Sequence, residues 1–285
     1  METSCLKKRV EHTHMKRLVI FKHSAKEFAN RLLSDMSIYA YGLEIHASVI
    51  NLTYLEHKRF GYAIHALCAR AINRFTRNTC GLWALNGAKY LPPTEAEDSR
   101  LAGRNTLFFS GWLFRNPVGL EKYREQITEK FGPSPRMQSK IENLLAPTQK
   151  DRVRVGVHLR LTPFKGFEDG EFLVPPKRVR EIVDEYLREK NLRTQDIELV
   201  IACDQSLSAE TFEGYTTHVY CEDAETSLFL LSTCSVVVGT NTTLSNVAAW
   251  FGNVPHIVTK NEVIDWRYYF GHETYFENKY ANFVQ

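Results

Sequence analysis

Residues 153–174, VRVGVHLRLTPFKGFEDGEFLV, carry the pattern on which the fold turns. Val153, Val155 and Val157 alternate with Arg154, Gly156 and His158, a period of two that predicts a strand entering a core. Thr162 and Pro163 stop it, since proline has no N–H to give a ladder. In an open α/β sheet the ligand crevice lies beyond the carboxyl ends of the strands, which places His158 and Arg160 where a bound group would sit. An arginine there suits a phosphate, because its planar fork gives two parallel charge-assisted hydrogen bonds. The plainer readings are a strand-end arginine paired with a surface carboxylate and a histidine satisfied inside the core.

Outward from this stretch, the second half alternates strand and helix. Strands are expected at 153–160, 198–204, 218–221, 236–239 and 256–258. The clearest helix runs from Pro175 to Lys190, with Val179, Ile182, Val183, Tyr186 and Leu187 on one face. Such alternation means a parallel sheet with helices on both sides. In the first half, RLVIFK at 17–22 reads as a short strand, followed by a helix carrying Phe28, Leu32, Met36 and Tyr39 at helical spacing. Further helices are expected at 62–75, 120–130 and 137–145, with a loop at LPPTEAEDSRLAG. The aromatic tract LFFSGWLFRNP, 107–117, reads as core packing. APTQKD, polar and Pro-containing, marks the expected boundary between residues 1–150 and 151–285.

Composition excludes several classes. With 44% apolar and 24% charged residues the chain is that of a soluble globular protein. Its six cysteines, at 5, 68, 80, 203, 221 and 234, form no Cys-x-x-Cys pair or Cys/His ligand spacing, so neither a zinc site nor a disulfide framework is expected. Free thiols and an amino terminus without an apolar centre fit the cytoplasm. Charge is uneven: residues 1–150 carry 23 Lys and Arg against 13 Asp and Glu, or +10, while residues 151–285 carry 13 against 20, or −7. A basic first half can meet an anionic membrane surface or a lipid-linked pyrophosphate. Nucleic acid competes for the same charge, but no nucleic-acid module accompanies it, and none is expected as a partner.

Two motifs in order carry a family likeness. HLRLTPFKGFEDGEF resembles the His-x-Arg-Arg motif of the inverting GDP-fucose-dependent fucosyltransferases, the α-1,2, α-1,6 and protein O-fucosyltransferase superfamily. SLFLLSTCSVVVGTNTTLSNVAAWFG is similar to its second signature, an apolar helix, a short strand, Asn-Ser-Thr-Phe-Ser and a small-residue helix. The nearest likeness is to bacterial α-1,2-fucosyltransferase-like proteins of glycosyltransferase family 11.

The resemblance implies a GT-B-like α/β fold of two Rossmann-like lobes: residues 1–150 on the acceptor side, 151–285 holding the nucleotide sugar, and the last 25 or so packing back on the first lobe. It implies transfer of fucose from GDP-fucose to a glycan acceptor with inversion and without a metal or other cofactor. By the same likeness Arg160 meets the phosphate, His158 contacts nucleotide or phosphate, and the two are the catalytic candidates. Asn241, Thr242, Thr243 and Ser245 open a helix whose hydroxyls and N–H groups converge on the donor. Asp204 reads guanine. Asn30 stands where the family has a glycine-rich turn; those glycines are absent here. Ordinary roles compete for each: helix caps for Thr242 and Asp204, an exposed position for Asn30. Asp223 and Glu225 are further acidic candidates, and Glu168, Asp169 and Glu171 lie in an acidic loop near the motif. Two departures stand out. Leu161 replaces the family's second arginine and Pro163 its following aspartate, which leaves open a nucleotide-sugar-binding protein without catalysis, or a transferase using another donor.

Overall fold

The computed structural model describes residues 17–22, 27–51, 83–84, 106–110, 115–162 and 174–267. The helix expected at 62–75, the loop after residue 90, Pro163, the acidic residues 168–171 and the chain after 267 lie outside them.

Two parallel sheets form. In the first, β1 (Arg17–Lys22) lies between β2 (Ala47–Asn51) and β4 (Thr106–Ser110), with β3 (Trp83–Ala84) at the edge, in the order β2-β1-β4-β3. In the second, the central strand is β5 (Val153–Leu159). It pairs with β6 (Ile197–Cys203) on one side and β8 (Val236–Gly239) on the other, with β7 (Thr217–Tyr220) and β9 (His256–Val258) outside, in the order β7-β6-β5-β8-β9. Every pairing is parallel. The doubly covered α/β architecture expected from the alternation is therefore the one observed.

The helices are α1 (Phe28–Glu44), α2 (Pro117–Lys122), α3 (Arg124–Phe131), α4 (Pro135–Leu145), α5 (Pro176–Glu189), α6 (Ala224–Leu231) and α7 (Thr243–Gly252). The single helix expected at 120–130 is two, because the chain leaves helical geometry at Tyr123 (φ −114°, ψ 29°). The tract expected to be aromatic core contains a strand, β4, and then α2, which Asn116 caps by accepting from the Gly119 N–H. Pro117 follows at the first helical position, where its missing N–H costs nothing.

Side-chain alternation divides the second sheet. Val155, Val157, Leu159, Ile197, Leu199, Ile201, Val236 and Val238 pack with Val179, Ile182 and Val183 of α5. The opposite face offers Val200, Ala202 and Val237, which pack with Leu228–Leu231 of α6 and Val247–Trp250 of α7. That second cluster reaches across the chain: Ala29, Leu32, Met36 and Ala40 of α1 belong to it, as do Leu120, Ile127, Ile141 and Leu145. Meanwhile Ile38 and Tyr41 of α1 pack with Val19 of β1. A helix buried on nearly every side is what an element shared by two layers requires. At the other end of the described chain, Trp266 lies against Tyr186 of α5 and donates to Glu185.

Burial of α1 extends to a carboxyl group. Asp35 is buried, and the Asn51 amide at the end of β2 donates to it. Desolvation pushes its pKa up to about 8, against the opposing pull of Asn51 and the Arg31 charge. An unfolded aspartate titrates near pH ~4. Between roughly pH 4 and 8 the folded chain thus holds a proton that the unfolded chain has released, and stability falls as pH rises through that window, by up to about 1.4 kcal/mol per unit, then levels off. Urea unfolding at pH 5 and pH 8 checks this: the parent should be less stable at pH 8, and Asp35→Asn, which keeps the acceptor for Asn51 but cannot ionise, should lose much of that difference.

Candidate functional site

The carboxyl ends of β5, β6 and β8 lie side by side, since His158 is in register with Ala202 on one flank and Gly239 on the other. Beyond β8 the chain runs through Thr240 and Asn241 to Thr242, which caps α7 by accepting from the Ser245 N–H at 3.3 Å. His158 Nδ1 lies 2.7 Å from Ser245 Oγ and 3.4 Å from Thr242 Oγ1, and the two hydroxyls are 3.1 Å apart. The three side chains form one hydrogen-bonded cluster at the mouth of the central strand. Gly239 makes it possible: a Cβ there would stand 2.9 Å from both His158 Cβ and Ser245 Oγ.

The first residue of α7 makes a separate set of polar contacts. Thr243 Oγ1 donates to Asn30 Oδ1 at 2.7 Å, so the first turn of α1 meets the first turn of α7. Arg115, just before α2, donates from Nη1 to Ser34 Oγ at 2.9 Å and from Nη2 to Asn30 Oδ1 at 3.5 Å. Its side chain is almost wholly buried. A buried guanidinium is costly unless hydrogen-bonded, and here it fixes the Asn30 amide with its oxygen towards Thr243. The sequence reading missed Arg115. Its only signal, an arginine ahead of Asn-Pro, says nothing about burial.

Asn241 adds an observation of another kind. Its Oδ1 and the neighbouring Thr240 Oγ1 are buried with no hydrogen-bond partner among the described residues. Such atoms are uncommon in a folded protein and mark places where a ligand donor or a water can enter.

Asp204 makes backbone contacts. Its Oδ1 accepts the Leu161 N–H at 2.7 Å and its Oδ2 the Thr162 N–H at 3.1 Å. It ties the turn after Arg160 to the end of β6. Partial burial raises its pKa, but hydrogen bonds from Thr162 and Leu161 outweigh that and hold it below the ordinary carboxylate value. Both oxygens are engaged, so a guanine edge would have to share their remaining lone pairs. Arg160 itself is half-buried at the start of that turn. Leu161 points elsewhere, with its side chain packed against the α5-side core. Asp223 caps α6, accepting from the Thr226 N–H at 2.9 Å, and it lies 3.8 Å from Lys140; Glu225 follows in the first turn of the same helix.

The fold matches solved structures. A mutant of Arabidopsis thaliana FUT1 in complex with GDP superposes with a TM-score of 0.56 at 13% identity, covering 88% of this chain and 72% of that one. POFUT1 in complex with GDP gives 0.52 at 12% identity, covering 86% and 98%. NodZ α-1,6-fucosyltransferase co-crystallised with GDP gives 0.50 at 15% identity, covering 86% and 96%. At these identities the likeness is one of fold, the α/β arrangement of two parallel sheets expected for a GT-B-like protein. No family model matches the chain, and no curated protein matches its sequence.

The Gly239 contact yields a direct test. Gly239→Ala should destabilise the protein by about 1–3 kcal/mol through overpacking, because neither β5 nor the capped α7 can retreat, and urea unfolding would measure it.

Proposed function

We propose that the protein is a glycosyltransferase that moves fucose from GDP-fucose to a glycan acceptor with inversion, without a metal. The supporting observation is the convergence at the carboxyl edge of the second sheet: His158 at the end of β5 with Arg160 two residues on, the hydroxyls of Thr242, Thr243 and Ser245 opening α7, and Asn30 facing them from α1. A diphosphate leaving group gathers negative charge as the glycosidic bond breaks. A cation and preorganised donors at a helix amino terminus stabilise that charge. In this reading Arg160 meets the β-phosphate, α7 offers Thr243 and Ser245, and Asn241 supplies the buried acceptor at Oδ1. Asp204 acts mainly by positioning the Arg160 turn. Arg115 is a positioning residue for Asn30.

The acceptor side is assigned to the first half. Its positive charge, 23 Lys and Arg against 13 Asp and Glu over residues 1–150, suits an acceptor or membrane surface bearing phosphates, at the inner face of the membrane in the cytoplasm. No helix among the described residues is long and apolar enough to cross a membrane.

A second reading draws on Leu161. Its side chain packs against the core instead of offering a second cation at that motif position, which favours a nucleotide-sugar-binding protein with slow or no transfer. Binding and turnover separate the two.

Arg160→Ala should weaken GDP binding by about ten- to a hundredfold, the worth of one charge-assisted pair, with Tm little changed; calorimetric titration measures it. Unaltered affinity in a folded variant would move the site elsewhere. Release of GDP from GDP-fucose in the presence of glycan acceptors, persisting in EDTA, is the expected activity. Tight GDP binding with no turnover would select the binding-protein reading.

A further inference from the structure

Cys203 closes β6 and Cys221 immediately follows β7. The last pair of that ladder is Ala202 with Tyr220, so the two cysteines occupy the next position in register on neighbouring strands. Their sulfurs are 3.3 Å apart. Neighbouring strands run about 4.8 Å apart, inside the Cα separation that a disulfide spans. Cys203 is buried and Cys221 is exposed. Cys203 Sγ lies 3.8 Å from the Tyr220 carbonyl and Cys221 Sγ lies 3.4 Å from that of Gln205, so each thiol is held at the strand ends.

We propose that Cys203 and Cys221 form a redox-modification site, a dithiol that a peroxide converts to a cross-strand disulfide. The exposed Cys221 sulfur attacks one peroxide oxygen and breaks the O–O bond, giving a sulfenic acid and one water for hydrogen peroxide. The Cys203 sulfur then attacks the Cys221 sulfur, the S–O bond breaks, and the hydroxyl leaves with the Cys203 thiol proton as a second water. Two thiols have lost two electrons, and the peroxide has gained them. The exposure of Cys221 assigns it the first attack, while burial and the neighbouring thiol push the Cys203 pKa up to about 12. Cys203 leads directly into Asp204, so the crosslink fixes the strand end from which the turn at Leu161 and Thr162 hangs.

The reduced full chain, treated with hydrogen peroxide, alkylated and digested without reductant, gives the test by mass spectrometry. A linked pair of peptides carrying Cys203 and Cys221 should dominate, disappear on adding dithiothreitol, and form faster as pH rises. In Cys221→Ser, Cys203 should remain an alkylatable thiol. In Cys203→Ser, Cys221 should pass on to sulfinic acid. Preferential pairing of either cysteine with a different one, or over-oxidation of Cys221 in the parent while Cys203 stays reduced, overturns the proposal.

Discussion

The hydrogen bonding of β5 on both edges is the constraint from which the rest follows. Once its ladders with β6 and β8 are made, side-chain direction along it is no longer free: Val155, Val157 and Leu159 turn to α5, and His158 turns to the opening of α7. A slip of one residue would bury histidine among the valines and expose leucine to the cleft. The same rule carries Leu161 to the apolar side while its neighbour Arg160 begins the turn. Leucine at position 161 is therefore consistent with the local packing.

The first half is bound to this sheet by α1. One side of that helix rests on β1 and the rest on α3, α6 and α7, with Tyr39 meeting Phe131 edge-on at 5.6 Å. Apolar burial fixes the helix in place, and the polar contacts at its first turns then have their geometry dictated. Asn30 meets Thr243 because Leu32, Leu33 and Met36 are already seated. Arg115 reinforces the arrangement from the far side. A second set of contacts works in parallel: Arg124 lies over the Trp250 ring at 4.6 Å, and Trp250 donates to Glu121. Both ends of α7 are thus held by side chains from the first half of the chain. The amino end carries the candidate phosphate donors, so their placement depends on packing made some distance away.

Much of this was legible in the residues. A β-branched run with period two can only be a strand half-turned to a core. Five short apolar runs separated by helical patterns point to a parallel sheet, because a crossover must bury the helix. Thr242 at the start of a small-residue helix was readable as a cap, and it caps. These features depend on neighbours in sequence, and short-range sterics and hydrogen bonding decide them. The strands β2, β3 and β4 were not readable, being short and recognisable only by their partners in the first sheet.

The sequence by itself determined the alternation of strand and helix, the position of His158 and Arg160 at a strand end, and the hydroxyl-rich opening of α7. Tertiary structure alone decided the company these residues keep. Asn30 and Thr243 are joined across more than two hundred positions, 213 in all, and Arg115 and Ser34 across 81. Asp204 binds backbone N–H groups 43 and 42 residues earlier. The thiols of Cys203 and Cys221, 18 residues apart, meet only because β6 and β7 pair in that register. Residue types announce what a group can do, but partners distant along the chain are chosen by how layers pack, since burying the apolar faces fixes the backbone first and leaves each polar side chain to the neighbours it is given.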